Sequence, residues 1–309
     1  MVAAHTEKPR IPDHGTGLEK ALSGATGQTI MLHLLERSAT SIDQRLILLA
    51  PPLGCVPDSF RNVDADSARH RALVREMQHL RGRIYLHDGA IERHNLSPDG
   101  LHETPEDDKS WHFLILNKEQ RVTACVWYLE HENAANVDDL RARTCPLAKM
   151  NGWRDRLSKA VVSELTRARR NRLRYAEVGG WAVAPTSRCT SEGLVLALAA
   201  YSLGRFFGGA LGMTTATVRH GSSRILRRLG GKPLEADGVT VPPYYDPRYK
   251  CEMELLRFDS RRPRAKYAGV IELLRQKLAD VPVVVAPTGS VVPDFVPATA
   301  FTPPAVLAV

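Results

Sequence analysis

The chain has no apolar run approaching the roughly 18 residues of a membrane-spanning helix. The longest candidate, LVLALAAYSL, stops at Gly204-Arg205. The opening residues, MVAAHTEKPRIPDHG, lack the apolar stretch of a secretion signal. These absences lead to the expectation of a soluble, cytoplasmic protein. Cysteines are scarce: Cys55, Cys125, Cys145, Cys189 and Cys251 are odd in number, scattered, and include no CxxC pair. That pattern argues against a disulfide framework and against structural zinc; no metal or redox cofactor is expected. Aromatics make up 6% of the chain, poor for a base-stacking surface. Neither a helix-turn-helix pattern nor an RNP-like motif is present, so no nucleic-acid partner is expected.

What is present is ordinary globular composition: 309 residues, 43% hydrophobic and 25% charged. That length suits one large domain or two small ones. A formal charge of +8 attracts something acidic: nucleic acid, an anionic membrane surface, a phosphorylated ligand or an acidic protein.

Periodicity orders the rest. TIMLHLLER (29–37) has helical spacing, and SIDQRLILLA leads to the breaker PPLGCVPD. HRALVREMQHLRG (70–82) places Leu73, Met77 and Leu80 on one helical face, and RIYLHDGAI is the next strand candidate. WHFLIL and RVTACVWYLE flank Asn117–Gln120 and read as a β-hairpin. An amphipathic helix covers 153–170. Then come strand AEVGGWAV, helix LVLALAAYSLGRFF, strand GMTTATVR, helix RILRRLGG, strand YKCEMELLRFDS and helix YAGVIELLRQKL. The Pro- and Val-rich tail, 283–309, is expected to form neither strand nor helix. A hairpin followed by β–α–β implies a mixed α/β fold, its sheet flanked by helices.

The turn APTSRCTSEG, between strand AEVGGWAV and the apolar helix, raises the functional question. A helix N-terminus presents unpaired N–H groups and partial positive charge, a good site for phosphate. Thr190 or Ser191 is placed to cap the helix, Gly193 lets another group approach, and Arg188 adds a charged donor. The plainer alternative is a capped core helix with a solvated arginine.

This element order, with an Arg- and Gly-bearing turn before an apolar helix, resembles the GNAT superfamily of acyl-CoA N-acyltransferases. There the turn carries [Q/R]-x-x-G-x-[G/A] and holds the donor's pyrophosphate. Here Arg188 and Gly193 are separated by four residues rather than two. TVRHGSSRILRRLGG (217–231) resembles that family's strand–turn–helix ending in lYeklGF. Leu226 stands where many members have a tyrosine acid, and Gly231 where they have phenylalanine. The chain looks closest to the branch of long-chain N-acyl amino acid synthases and acyl-homoserine-lactone synthases. PEDDKSWHFLIL, EVGGWAVAPTSR and PPYYDPRYKCEMELLRFDS carry that likeness over about residues 65–280. The lactone synthases have E-x-S-R on the fourth strand; here Val178, Gly179 and Gly180 follow Glu177, which argues against a lactone product.

The resemblance implies a GNAT-like domain over 65–282, between an extension (1–64) and a flexible tail (283–309). It implies transfer of an acyl group, long-chain in this branch, from acyl-CoA or acyl carrier protein to an amine such as an amino acid. The alternative is a non-catalytic acyl-CoA sensor. Glu177 is the expected base, in a partly apolar cleft that would raise its pKa; the alternative is a salt-bridging glutamate. Tyr244, with Tyr245 beside it, is the expected donor to the leaving thiolate, or else a packing aromatic. Trp181, Ala182 and Val183 are expected along the donor's pantetheine, with Arg188, Thr190, Ser191 and Gly193 at its phosphates. Gly179 and Gly180 mark a bulge or a close ligand approach. Arg219 and His220 are assigned to the acceptor, against a plain strand-end turn. Asp107 and Asp108 read as a solvated loop. The basic segment TRARRNRLR (166–174) is a solvated face or a dock for the carrier protein or CoA phosphates.

Overall fold

A computed structural model describes residues 25–42, 45–52, 54–188, 190–219 and 221–286. The N-terminal part contributes helix α1 (Ala25–Thr40) and strands β1 (Leu46–Leu49) and β2 (Val63–Ala65). Helix α2 (Ser67–His87) leads to β3 (Trp111–Leu116) and β4 (Val122–His131). Next come α3 (Arg154–Arg170), β5 (Arg174–Val183), α4 (Glu192–Phe206), β6 (Ala210–Thr217) and α5 (Ser222–Leu229). The short strands β7 (Lys232–Pro233), β8 (Glu235–Ala236), β9 (Val239–Thr240) and β10 (Tyr244–Asp246) precede the long β11 (Cys251–Asp259). Helix α6 (Ala268–Lys277) and strand β12 (Val283–Val285) follow.

One sheet runs through the molecule in the order β10-β11-β6-β5-β4-β3-β1-β12-β2, with β7 beside β11. Its pairs are antiparallel except β5 with β6, β1 with β12, and β12 with β2. The expected mixed, mostly antiparallel sheet with flanking helices is therefore present. The boundaries expected at 64/65 and 282/283 cut through this sheet, because β1, β2 and β12 are hydrogen-bonded into it.

Helices cover both faces, so strands such as WHFLIL are buried throughout rather than alternating with solvent. On one face α1, α4 and α6 pack over Leu48, Phe113 and Val126, burying Leu196, Leu203 and Ile271. On the other, Leu73, Met77, Leu80 and Ile84 of α2 pack on Leu114 and Cys125. Beside them, Leu157, Val161 and Leu165 of α3 pack on Met213 and Leu255. The segment RIYLHDGAI, expected as a strand, is the last turns of α2 and the turn after it. Ile84 continues the 3–4 spacing of Leu73, Met77 and Leu80, and that buried stripe outweighs the β-branched pair. No helix among the described residues is long and apolar enough to cross a membrane.

Candidate functional site

The site begins where two parallel strands part. β5 and β6 pair from Arg174–Ala210 to Val178–Thr214, and the Thr214 hydroxyl donates to the Val178 carbonyl at 2.6 Å. Beyond that point β5 stays with β4 through Ala182–Cys125 and Val183–Ala124. β6 stays with β11 through Thr215–Leu255 and Thr217–Met253. Along the far halves, the edges that face each other have no strand partner.

The local cause is a bulge. The β4–β5 register shifts between Cys125 and Trp127, opposite Gly179 to Ala182. The Trp127 indole lies flat across β5 there, and a Cβ on either Gly179 or Gly180 would run into it. Gly180 also has a left-handed φ of 64°, which favours glycine. Both glycines are thus required by Trp127. The extra residue turns Trp181 and Val183 toward α4 and leaves Glu177 facing α3.

A cavity of about 1100 Å³ passes through this gap. On the α2/α3 side it is lined by Trp127, Arg141, Glu177 and Tyr244; on the α4/α5 side by Trp181, Leu194, Ala197 and Leu226.

Glu177 is 4% exposed. Its carboxylate accepts the Arg141 backbone N–H on both oxygens at 3.1 Å and meets His131 Nε2 at 3.0 Å. His131 stands behind it, at the end of β4. The Arg141 guanidinium lies 5.2 Å from the Trp127 ring centroid and pairs with Glu106 at 2.8 Å. Sequence reasoning missed His131 and Arg141. Both lie far from Glu177 in the chain, and neither carries a local motif.

Tyr244 lines the same cavity on the same sheet face but is not adjacent to Glu177. Glu177 pairs with Met213, whereas Tyr244 pairs with Met253, which pairs with Thr217. Four residues along β6 correspond to about 13 Å. Burial, with Cys145 and Asp246 nearby, pushes the Tyr244 hydroxyl well above the usual tyrosine range, so it remains a proton donor. Tyr245 points outward, 59% exposed.

Across the gap, the N-cap Ser191 makes no side-chain capping bond; Thr190, one residue before it, accepts the Glu192 N–H at 3.2 Å on a hydroxyl that donates to the Ser187 carbonyl at 2.7 Å. The Ser191 hydroxyl lies 2.5 Å from that of Ser38 on α1, and Arg45 pairs with Glu192. The N-terminal segment thus braces the start of α4. A Cβ on Gly193 would lie 3.1 Å from Val183 Cγ2, so this glycine lets α4 start close against β5. The Trp181 indole Nε1 is buried without a hydrogen-bond partner. The Tyr85 hydroxyl approaches the Trp181 carbonyl at 3.5 Å. Ala182 is buried and paired to β4, and Val183 lines the cavity.

Arg188 does not stand free: its Nη2 lies 3.0 and 2.8 Å from the two carboxylate oxygens of Asp88. Arg219 reaches the same residue, donating to the Asp88 carbonyl at 3.0 Å. It therefore lies at the open end of the gap rather than beside Glu177. His220 falls outside the described residues.

One reading of a charged segment changes and another holds. Asp107, read as solvated, is 4% exposed and takes both terminal nitrogens of Arg81, at 2.8 and 2.6 Å. Burial pushes its carboxyl up, but the Arg81 hydrogen bonds and charge outweigh that and hold it below the usual range. The basic segment 166–174 is the expected solvated face, with Arg169, Arg170, Arg172 and Arg174 exposed, and some of its arginines make surface contacts. Arg167 pairs with Glu164, Arg169 donates to the Asn133 carbonyl at 2.7 Å, and Arg174 pairs with Glu130. Among the described residues no cluster of three or more His, Cys, Asp or Glu is arranged to hold a metal ion.

No family model matches the chain, and no curated protein matches it. Solved structures do. One is BjaI, a CoA-dependent acyl-homoserine lactone synthase solved with SAM and isopentyl-CoA: 14% identical, TM-score 0.47, covering 78% of this chain and 92% of that one. FeeM, an N-acyl amino acid synthase from uncultured soil microbes, is 13% identical with a TM-score of 0.41, covering 64% and 88%. A putative N-acetyltransferase from Lactobacillus plantarum is 12% identical with a TM-score of 0.36, covering 61% and 91%.

Proposed function

We propose that this protein is an N-acyltransferase. It moves an acyl group, long-chain in this reading, from acyl-CoA or acyl carrier protein to an amine such as an amino acid. The observation that carries the reading is the parting of β5 and β6 beyond Val178 and Thr214. It opens a through-cavity with a buried carboxylate on one face and a glycine-opened helix start on the other.

The chemistry follows from that placement. The donor's thioester lies in the gap, its amide groups taking the free strand edges along Trp181–Val183. Its phosphates lie toward Arg188, Thr190, Ser191 and Gly193. Apolar side chains on the α4 side, Leu194, Ala197 and Leu226, take the acyl chain. The amine enters from the α2/α3 side, beside Glu177. Its nitrogen lone pair attacks the thioester carbonyl carbon and Glu177 takes the nitrogen's proton. Main-chain N–H groups on the β5 edge that has parted from β6 stabilise the developing oxyanion. Collapse breaks the C–S bond, the thiolate takes a proton from Tyr244 only through water at the open end of the gap, and Glu177 and Tyr244 reset by proton exchange with that water. Arg141 N–H and His131 hold the base in one orientation, as an activating group requires. No metal or redox cofactor enters this reading.

The test is native mass spectrometry with a chain-length series of acyl-CoAs, followed by an amine screen of the wild type and Glu177→Gln. Binding that tightens with chain length is expected. The substitution should spare donor binding and lower turnover by about 10²–10⁴-fold. Absence of acyl-CoA binding at every length, or unchanged turnover in the variant, would sink the proposal.

A further inference from the structure

The open end of the split sheet is tied shut by one residue from a third element. Arg188 follows the end of β5, Arg219 follows the end of β6, and both reach Asp88, which caps the C-terminus of α2. Arg188 Nη2 takes both carboxylate oxygens, at 3.0 and 2.8 Å, and Arg219 Nη2 donates to the main-chain carbonyl at 3.0 Å. His87 Nδ1 also lies 3.1 Å from Oδ1. Gly89, with a left-handed φ of 66°, turns the chain away directly afterwards. Asp88 and Arg188 both line the cavity.

We propose that Arg188 and Arg219 form a two-armed anion clamp, and that Asp88 is its built-in ligand, displaced when the donor's phosphates arrive. The proposal rests on the acyl-donor reading for the identity of the anion. Three observations carry it. The two guanidinium groups come from the two arms that part, so an anion between them bridges the gap. Arg188 now holds a carboxylate, whose paired oxygens resemble the edge a phosphate offers a guanidinium, while Arg219 holds a main-chain carbonyl of the same residue. And the pair is open to water: the Arg188 side chain is 40% exposed and that of Asp88 18%. A pair so exposed is held weakly and exchanges readily. A pyrophosphate carries more charge than a carboxylate and displaces it.

The consequence is a toll on donor binding. Every donor molecule must first break the Arg188–Asp88 contact, and doing so unties α2 from the β5–α4 turn. Asp88→Asn removes the competing charge while keeping the side-chain shape and the carbonyl that Arg219 uses.

The experiment is calorimetric titration of the full chain, wild type, Asp88→Asn, Arg188→Gln and the double variant, with CoA and separately with inorganic pyrophosphate. Asp88→Asn should tighten both ligands by about three- to ten-fold. Arg188→Gln should weaken both, and in its background Asp88→Asn should have no further effect. If CoA binds the wild type and Asp88→Asn equally, the clamp is refuted and the acyl-donor reading stands. If pyrophosphate tightens but CoA binds no variant, the clamp stands and the donor reading falls. If neither ligand binds any variant, both fall.

Discussion

Two of the arginine–aspartate pairs along α2 and its C-cap behave as opposites. Arg81 meets Asp107 in a place where the two side chains are 1% and 3% exposed. The C-cap Asp88 meets Arg188 where the exposures are 18% and 40%. In the first pair every strong group is satisfied. Asp107 also accepts from Gln78 Nε2 at 3.1 Å, Thr104 N at 3.0 Å and Thr104 Oγ1 at 3.1 Å. Arg81 Nε donates to His102 Nδ1 at 3.0 Å. Neither partner can be removed without stranding the other away from water. In the second pair, water replaces whatever is lost. The same chemistry thus welds the loop before β3 to α2 about two turns before its C-terminus, and forms an exchangeable contact at the C-terminus itself.

The largest expected effect breaks the buried pair. Arg81→Ala leaves an uncompensated carboxylate and should cost about 3–5 kcal/mol of stability, read from urea unfolding. A loss below about 1 kcal/mol would show that the site opens to water. Converting both partners to apolar residues of similar volume should cost much less than the single change, because no charge is then stranded.

The second effect sharpens the contrast by titration. Burial, helped by the Arg81 charge, lowers His102 to about 4. Burial lowers His112 to about 4 as well, against the pull of its hydrogen bond to the Asp107 carbonyl. Both rings are neutral in the fold, whereas the unfolded chain binds protons near pH 6.5. The unfolded state therefore holds more protons between pH 6.5 and 4, and stability drains as the pH falls through that window. For His112 the loss by pH 4 is on the order of 3 kcal/mol. A melting temperature that stays flat from pH 7 to 4.5 would contradict this, and His112→Asn should flatten a sloping one.

The smallest effect belongs to the exposed pair. Arg188→Gln should change stability by less than about 1 kcal/mol, a melting shift of no more than about 4 °C in a chain of this size. A larger loss would make the mouth as structural as the weld.

Half of this contrast was open to sequence reasoning. The hairpin, α3, and the run from β5 through α5 follow their periodicity closely, because each buries a face its own pattern announces. The Arg81–Asp107 pair escaped because α2 was ended at Gly82. Followed to Ile84, the helical stripe would have shown Arg81 among buried positions, where a charged residue demands a partner. Resemblance singled out Glu177, which is buried and lines the cavity. Its neighbours were not legible, since His131 and the Arg141 N–H reach it only through strand pairing and a loop return. β12 was misread for another reason. Three valines are too few to show alternation, and a strand buried on both faces reads only as a short apolar run.

That strand has a consequence in the order of synthesis. β12 lies between β1 and β2, parallel to each, and those two strands have no pairing with one another. Both emerge from the ribosome long before Val283 is made. Until β12 arrives, β2 has no strand partner among the described residues and β1 has only β3. This edge of the sheet can be completed only after β3 to β11 have been made, and the nascent chain must keep an open slot for β12 throughout.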